Sequence, residues 1–162
     1  MPPSRQRKLL DTGSRAPDFR LPLLDGGEAS LHDLIANGPV LLAFFKITCP
    51  VCQLTFPFLE RLHQGGTLPI YGISQNGPED TREFNQEFGV TFPILLDRED
   101  DDYVASNAFG ISTVPTLFLV EPDGTISHVT EGWQKRQIEW LGGKAGMTPI
   151  RAGENVPEWK SG

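Results

Sequence analysis

Val40-Leu41-Leu42-Ala43-Phe44-Phe45-Lys46-Ile47-Thr48-Cys49-Pro50-Val51-Cys52 joins an apolar run to a pair of closely spaced thiols. Val40 to Phe45 is apolar without alternation, which predicts a central strand covered on both faces. From Pro50 the period changes. Val51, Leu54, Phe58, Leu59 and Leu62 lie on or near one helical stripe, so a helix is predicted from Pro50 to His63, ended by Gly65-Gly66. Pro57 lies inside it and is expected to remove a hydrogen bond and kink the helix. Pro50 suits the first helical position, where a missing N–H costs nothing. Cys49 is then the N-cap or its neighbour. Free amides and the helix dipole favour an anion there, and the thiol pKa should fall from its free value of about 8.5. Cys52, one turn later, is more enclosed and should stay a thiol. That asymmetry suits exchange chemistry. Cys49 attacks a disulfide, and Cys52 then displaces the captured sulfur.

These are the chain's two cysteines. A disulfide between them would close too short a loop to stabilise much, so redox or metal chemistry is the better reading. Zinc needs two further ligands, and His32, His63 and His128 fall far down the helix or in unrelated elements. No metal or organic cofactor is expected. The chain of 162 residues is near the usual size of one domain. Its formal net charge of -7 argues against nucleic-acid binding. Met1 to Leu10 is basic and lacks the roughly 7–15 apolar residues of a signal peptide. No run approaches the roughly 18 apolar residues of a membrane span. The expectation is a cytoplasmic protein with no membrane association.

Outward from the cysteines, Phe19–Leu24 and Glu28–Leu31 read as strands around the turn Asp25-Gly26-Gly27, and Leu31–Ala36 as a helical turn. Leu68–Ser74 and Phe92–Leu96 are strands, with a helix from Pro78 to Phe88 between them. Asp102–Phe109 is a short helix closed by Gly110. Thr116–Val120 and Thr125–Thr130 flank the hairpin signal Glu121-Pro122-Asp123-Gly124. Gln134–Leu141 is the last helix. The fold class is therefore α/β: a central mixed sheet flanked by helices, with an N-terminal β-hairpin extension. Residues 13–143 form the domain. Residues 1–12 and the Gly-, Pro- and charge-rich 144–162 are expected to be flexible ends.

The cysteine stretch with Pro57 resembles the active-site strand and helix of the thioredoxin superfamily. Gly13-Ser14-Arg15-Ala16-Pro17-Asp18-Phe19 with Leu31-His32-Asp33-Leu34 is similar to the opening of the AhpC/TSA–redoxin and TlpA/ResA branch. Gly89-Val90-Thr91-Phe92-Pro93-Ile94-Leu95-Leu96-Asp97 and Gly110-Ile111-Ser112-Thr113-Val114-Pro115-Thr116 continue it. The resemblance covers about residues 13 to 142. It implies a thioredoxin-like fold, Cys49 as nucleophile and Cys52 as resolving thiol. It also implies a cis Pro115 facing them, with Val114 offering its backbone to an extended substrate. Thr48, Pro50 and Val51, next to the cysteines, join Val114 and Pro115 as candidate substrate-binding residues. Ala43 stands where thioredoxins proper carry a buried Asp. Ser74-Gln75-Asn76 stands where ResA-type proteins carry a Glu.

The expected activity is thiol–disulfide exchange with a protein or small-thiol substrate, using a thioredoxin-like or small-thiol electron donor. The alternative is a peroxiredoxin-like peroxidase acting through Cys49. Its Pro-xxx-Thr/Ser-xx-Cys frame is not met: the positions before Cys49 are Leu42 and Lys46, and those before Cys52 are Phe45 and Cys49. A binding module that kept the fold is the third possibility. Trp133 and Trp140, seven apart, are expected to share a buried face of the last helix. The run Glu99–Asp102 is expected to cap the helix near Asp102 or to be solvated.

Overall fold

A computed structural model describes residues 8–162. Its elements are β1 (Arg20–Pro22), β2 (Glu28–Ser30), α1 (Leu31–Leu34), β3 (Val40–Phe45), α2 (Pro50–Gly65), β4 (Ile70–Ser74) and α3 (Pro78–Phe88). They continue with β5 (Ile94–Leu96), a 3-10 turn (Glu99–Asp101), α4 (Val104–Phe109), β6 (Thr116–Val120) and β7 (Ile126–Glu131). Last come β8 (Trp133–Gln134), α5 (Lys135–Ala145) and β9 (Trp159–Lys160). The central sheet has the order β5-β4-β3-β6-β7. β3, β4 and β5 are parallel, and β6 and β7 are antiparallel to their neighbours. This is the mixed sheet read from the sequence. The β1–β2 hairpin is present too and reaches the β5 edge through Leu24 N–H to the Ile94 carbonyl.

β3 is central because every one of its side chains is apolar and buried. Leu41, Ala43 and Phe45 point to one side, where Phe56, Leu59 and Leu62 of α2 cover them. Val40, Leu42 and Phe44 point to the other, against Phe109 and Phe118. Phe45 lies 4.3 Å from Phe56 and 5.1 Å from Phe84 between ring centroids. This interlocked packing fixes α2 on the sheet, and so fixes where its first turn points. α2 continues through Pro57 and closes at Gly66, whose N–H donates to the Leu62 carbonyl. Among the described residues no helix is long and apolar enough to cross a membrane.

The structure bears on three expectations. Trp133 is buried, but in β8 ahead of α5, while Trp140 is 40% exposed and stacks on His128 at 4.3 Å. The positive φ of 68° at Gly132 turns the chain before Trp133, so the two indoles do not share a helix face. Of the two readings of the acidic run, the solvated one holds: it forms an exposed 3-10 turn and does not cap α4. Asp97 does so instead, accepting from Ala105 N–H at 3.1 Å and Ser106 N–H at 2.7 Å.

The third concerns the ends. Residues 1–7 lie outside the described residues. Leu10 N–H donates to the Phe109 carbonyl. The segment 144–162, expected to be a flexible tail, lies back across the domain. Ile150 is buried in the core beside α2 and α5. Arg61 grips the Glu154 carboxylate with two bonds of 2.6 and 2.8 Å and also donates to the Pro149 carbonyl. Trp133 Nε1–H donates to the Pro157 carbonyl at 2.6 Å, and β9 pairs with β8. Its turn-forming composition serves these long-range contacts.

Candidate active site

Topology brings the cysteines and Val114 together. β3 runs towards Cys49. β6 is antiparallel to it, with Thr116 opposite Phe44, so the residues just before β6 lie at the same end of the sheet. The peptide between Val114 and Pro115 is cis. Cys49 Sγ is 3.2 Å from the Val114 carbonyl oxygen, to which the thiol form donates.

Cys49 is the N-cap of α2, with Pro50 in the first turn as the sequence predicts. The Cys52 N–H donates to Cys49 Sγ at 3.2 Å. The Gln53 N–H donates to the Cys49 carbonyl at 3.1 Å and closes the first helical turn. The approach loop is held separately. Ile47 N–H donates to Asn76 Oδ1 at 3.0 Å, and Gln53 Nε2 donates to the Ile47 carbonyl at 3.1 Å. Asn76, in the segment where a Glu occurs in ResA-type proteins, thus positions the loop before the cysteines. Ser74 bonds Thr81 at 2.7 Å within the sheet–helix junction.

The two thiols differ sharply. Cys49 is half-buried and Cys52 fully buried. The hydrogen bond from the Cys52 thiol brings Cys49 down from 9.0 to about 6, against the cost of its own partial burial. Backbone N–H groups of α2 and the charge of Lys46 act in the same direction. Burial pushes Cys52 far above an ordinary thiol, and its bond to Cys49 adds to that. These opposite shifts favour a thiolate at Cys49 and a thiol at Cys52 near neutral pH. Ala43 is buried in the core cluster that also holds Cys52, where thioredoxins proper have a carboxylate.

A groove of about 480 Å³ opens beside Cys49, lined by Lys46, Gln75, Tyr103, Ser106, Asn107, residues 111–114 and Gly162. Of the residues proposed from sequence, Cys49 and Val114 line it. Pro115 is buried beneath, Thr48 and Pro50 are exposed, and Val51 packs on the core beside Cys52. Gln75, Tyr103, Ser106 and Asn107 were not singled out from sequence. Their wall depends on Asp97, which holds the start of α4, and on the 2.8 Å bond from Gln75 Nε2 to Ser106 Oγ. Asp97 is the one visible signal for that wall, as the last residue of the Gly89–Asp97 motif.

Similar proteins are named for thiol–disulfide chemistry. The thiol-disulfide oxidoreductase ResA of Geobacillus thermodenitrificans is 31% identical over 136 residues, 82% of this chain and 76% of that protein. ResA of Bacillus subtilis is 29% identical, covering 78% of this chain and 70% of that protein. Among solved structures, a putative protein disulfide isomerase from Bacteroides thetaiotaomicron aligns with a TM-score of 0.73 and 26% identity, covering 85% of this chain and 89% of that one. The thioredoxin domain of a Bacteroides vulgatus thiol-disulfide oxidoreductase gives 0.73 and 25%, covering 84% and 99%. Residues 12–129 match the AhpC/TSA family. On that match, and on the thioredoxin-like sheet that carries Cys49 and Cys52, the chain belongs to the AhpC/TSA family, on its ResA-like thiol–disulfide oxidoreductase side.

Proposed function

We propose that this thiol–disulfide oxidoreductase works through Cys49 as nucleophile and Cys52 as resolving thiol, on protein disulfides or dithiols. The observation that carries the assignment is the 3.2 Å contact of the Cys52 N–H with Cys49 Sγ at the start of α2. It stabilises one sulfur as an anion while the other is held as a thiol within reach. The names of the ResA relatives support the reaction class.

In the reducing direction, the Cys49 thiolate attacks one sulfur of the substrate disulfide. The old S–S bond breaks and its other half leaves as a thiolate. Cys49 is now in a mixed disulfide. Its negative charge no longer opposes ionisation of Cys52. Cys52 gives up its proton, which reaches the departing thiolate directly or through water. Cys52 then attacks Cys49, forming the Cys49–Cys52 disulfide and expelling the second substrate thiolate. Two electrons pass from the enzyme dithiol to the substrate. A thioredoxin-like protein or a small thiol returns them to the oxidised pair. Val114, at the groove wall, is proposed to pair its backbone with an extended substrate segment.

Reduction of insulin disulfides tests the roles. Cys49→Ser should abolish turnover. Cys52→Ser should give one covalent adduct per chain, visible by mass spectrometry and released by dithiothreitol. Full turnover by Cys49→Ser, or adducts on Cys52 in the wild-type chain, would reverse the assignment.

A further inference from the structure

The Val114 carbonyl has a second neighbour besides Cys49. Gly162 lies so close that a Cβ built on it would collide with the carbonyl oxygen, 2.9 Å from the carbonyl carbon and 3.0 Å from Thr113 Oγ1. The approach to this position is organised. Trp133 pairs with Lys160 and Gln134 with Trp159. Lys135 N–H donates to the Glu158 carbonyl at 3.0 Å. Gly132 packs so tightly on the Lys160 carbonyl that a Cβ there would also collide, and its N–H donates to the Pro115 carbonyl at 2.8 Å. One glycine thus touches both residues 160–162 and the loop carrying Val114.

We propose that residues 159–162 are a strap over the backbone edge of Val114, which an extended polypeptide must displace before it can pair there. This rests on the reading of Cys49 and Cys52 as a disulfide-exchange pair. Recognition by strand addition needs main-chain groups, and a chain segment already lying against them, here Gly162 at the end of the β9 arm, keeps another out. A small disulfide needs only Cys49 Sγ, which stays half-exposed although Gly162 shares its groove, and it does not compete with the strap for the Val114 backbone. The hold is light: β9 has two paired residues, and both Trp159 and Lys160 are exposed. The strap therefore lowers the population competent for protein substrates without abolishing it. It makes the enzyme selective between small and polypeptide disulfides at an unchanged pair of sulfurs.

The test compares three chains: the full chain, one ending at Glu158, and Gly162→Ala, whose new methyl group meets the Val114 carbonyl. Each is assayed on insulin and on 5,5′-dithiobis(2-nitrobenzoic acid). Ending the chain at Glu158 should raise the insulin rate about three- to tenfold, the inverse of the fraction of chains with the strap open. The aromatic disulfide should react at an unchanged rate. Gly162→Ala should move in the same direction by a smaller factor, with the paired residues 159 and 160 retained. An insulin rate that is unchanged or lower, relative to the small disulfide, in both variants overturns the strap. Failure of all three chains to reduce the small disulfide would instead remove the exchange reading, and the strap with it.

Discussion

Raising the pH through 6 should activate Cys49 long before an ordinary thiol responds. The Cys52 thiol and the α2 amides stabilise its anion, so iodoacetamide alkylation of the reduced chain should be half-maximal at about pH 6 rather than near 9.0. A half-maximum near 9 would show that the cap does not hold an anion. The same shift appears in folding. A group whose pKa is lower in the folded chain contributes its full stability above 9.0 and loses it as pH falls through 6. Measured by urea unfolding, the reduced wild type should therefore gain on Cys49→Ser as pH rises from 6 to 9. Both cysteines were legible in the sequence because capping depends on neighbours only a few positions away. Gln75 and Ser106 were not. Their contact joins residues separated by 31 positions, and no local pattern records it.

β4 shows why the elements were readable when their side chains were not. Its place follows from an apolar run between two helical segments, but the need for Gly72 within it does not. A Cβ at Gly72 would lie 2.5 Å from Ile94 Cδ1, 3.2 Å from Phe45 Cε1 and 3.3 Å from Phe92 Cε2. Gly72→Ala should destabilise the chain by about 1–2 kcal/mol in urea unfolding, because overpacking exceeds the roughly 0.5–1 kcal/mol recovered from glycine's lost freedom. A stabilised variant would mean that the three neighbours yield freely. β3, α3 and β6 match the sequence reading end to end, since continuous burial, a helix-starting proline and a hairpin turn are all local signals. β8 was missed because its pairing partner, β9, lies in a segment whose composition indicates turns. The shared helix face of Trp133 and Trp140 fails for a different reason: periodicity counts residues and does not register the reversal at Gly132.

The whole chain is held partly by contacts between its distant parts. Ile150 is buried although its segment has no regular structure. Ile150→Ala should cost about 2–5 kcal/mol, the usual range for emptying a buried aliphatic site, where a solvated tail would show a change near zero. The Arg61–Glu154 fork joins positions separated by 93 residues, which is why the tail's placement was not legible. The sheet and the cysteine end of α2 were legible because each depends on short-range order repeated along the chain. The three indoles occupy three media: Trp133 is wholly enclosed, Trp140 is stacked on an imidazole, and Trp159 is 62% in water. Iodide should extinguish the red-shifted emission of Trp159 first and leave the blue emission of Trp133 last. Detachment of the last few residues would then be visible as a colour change while the domain stays intact.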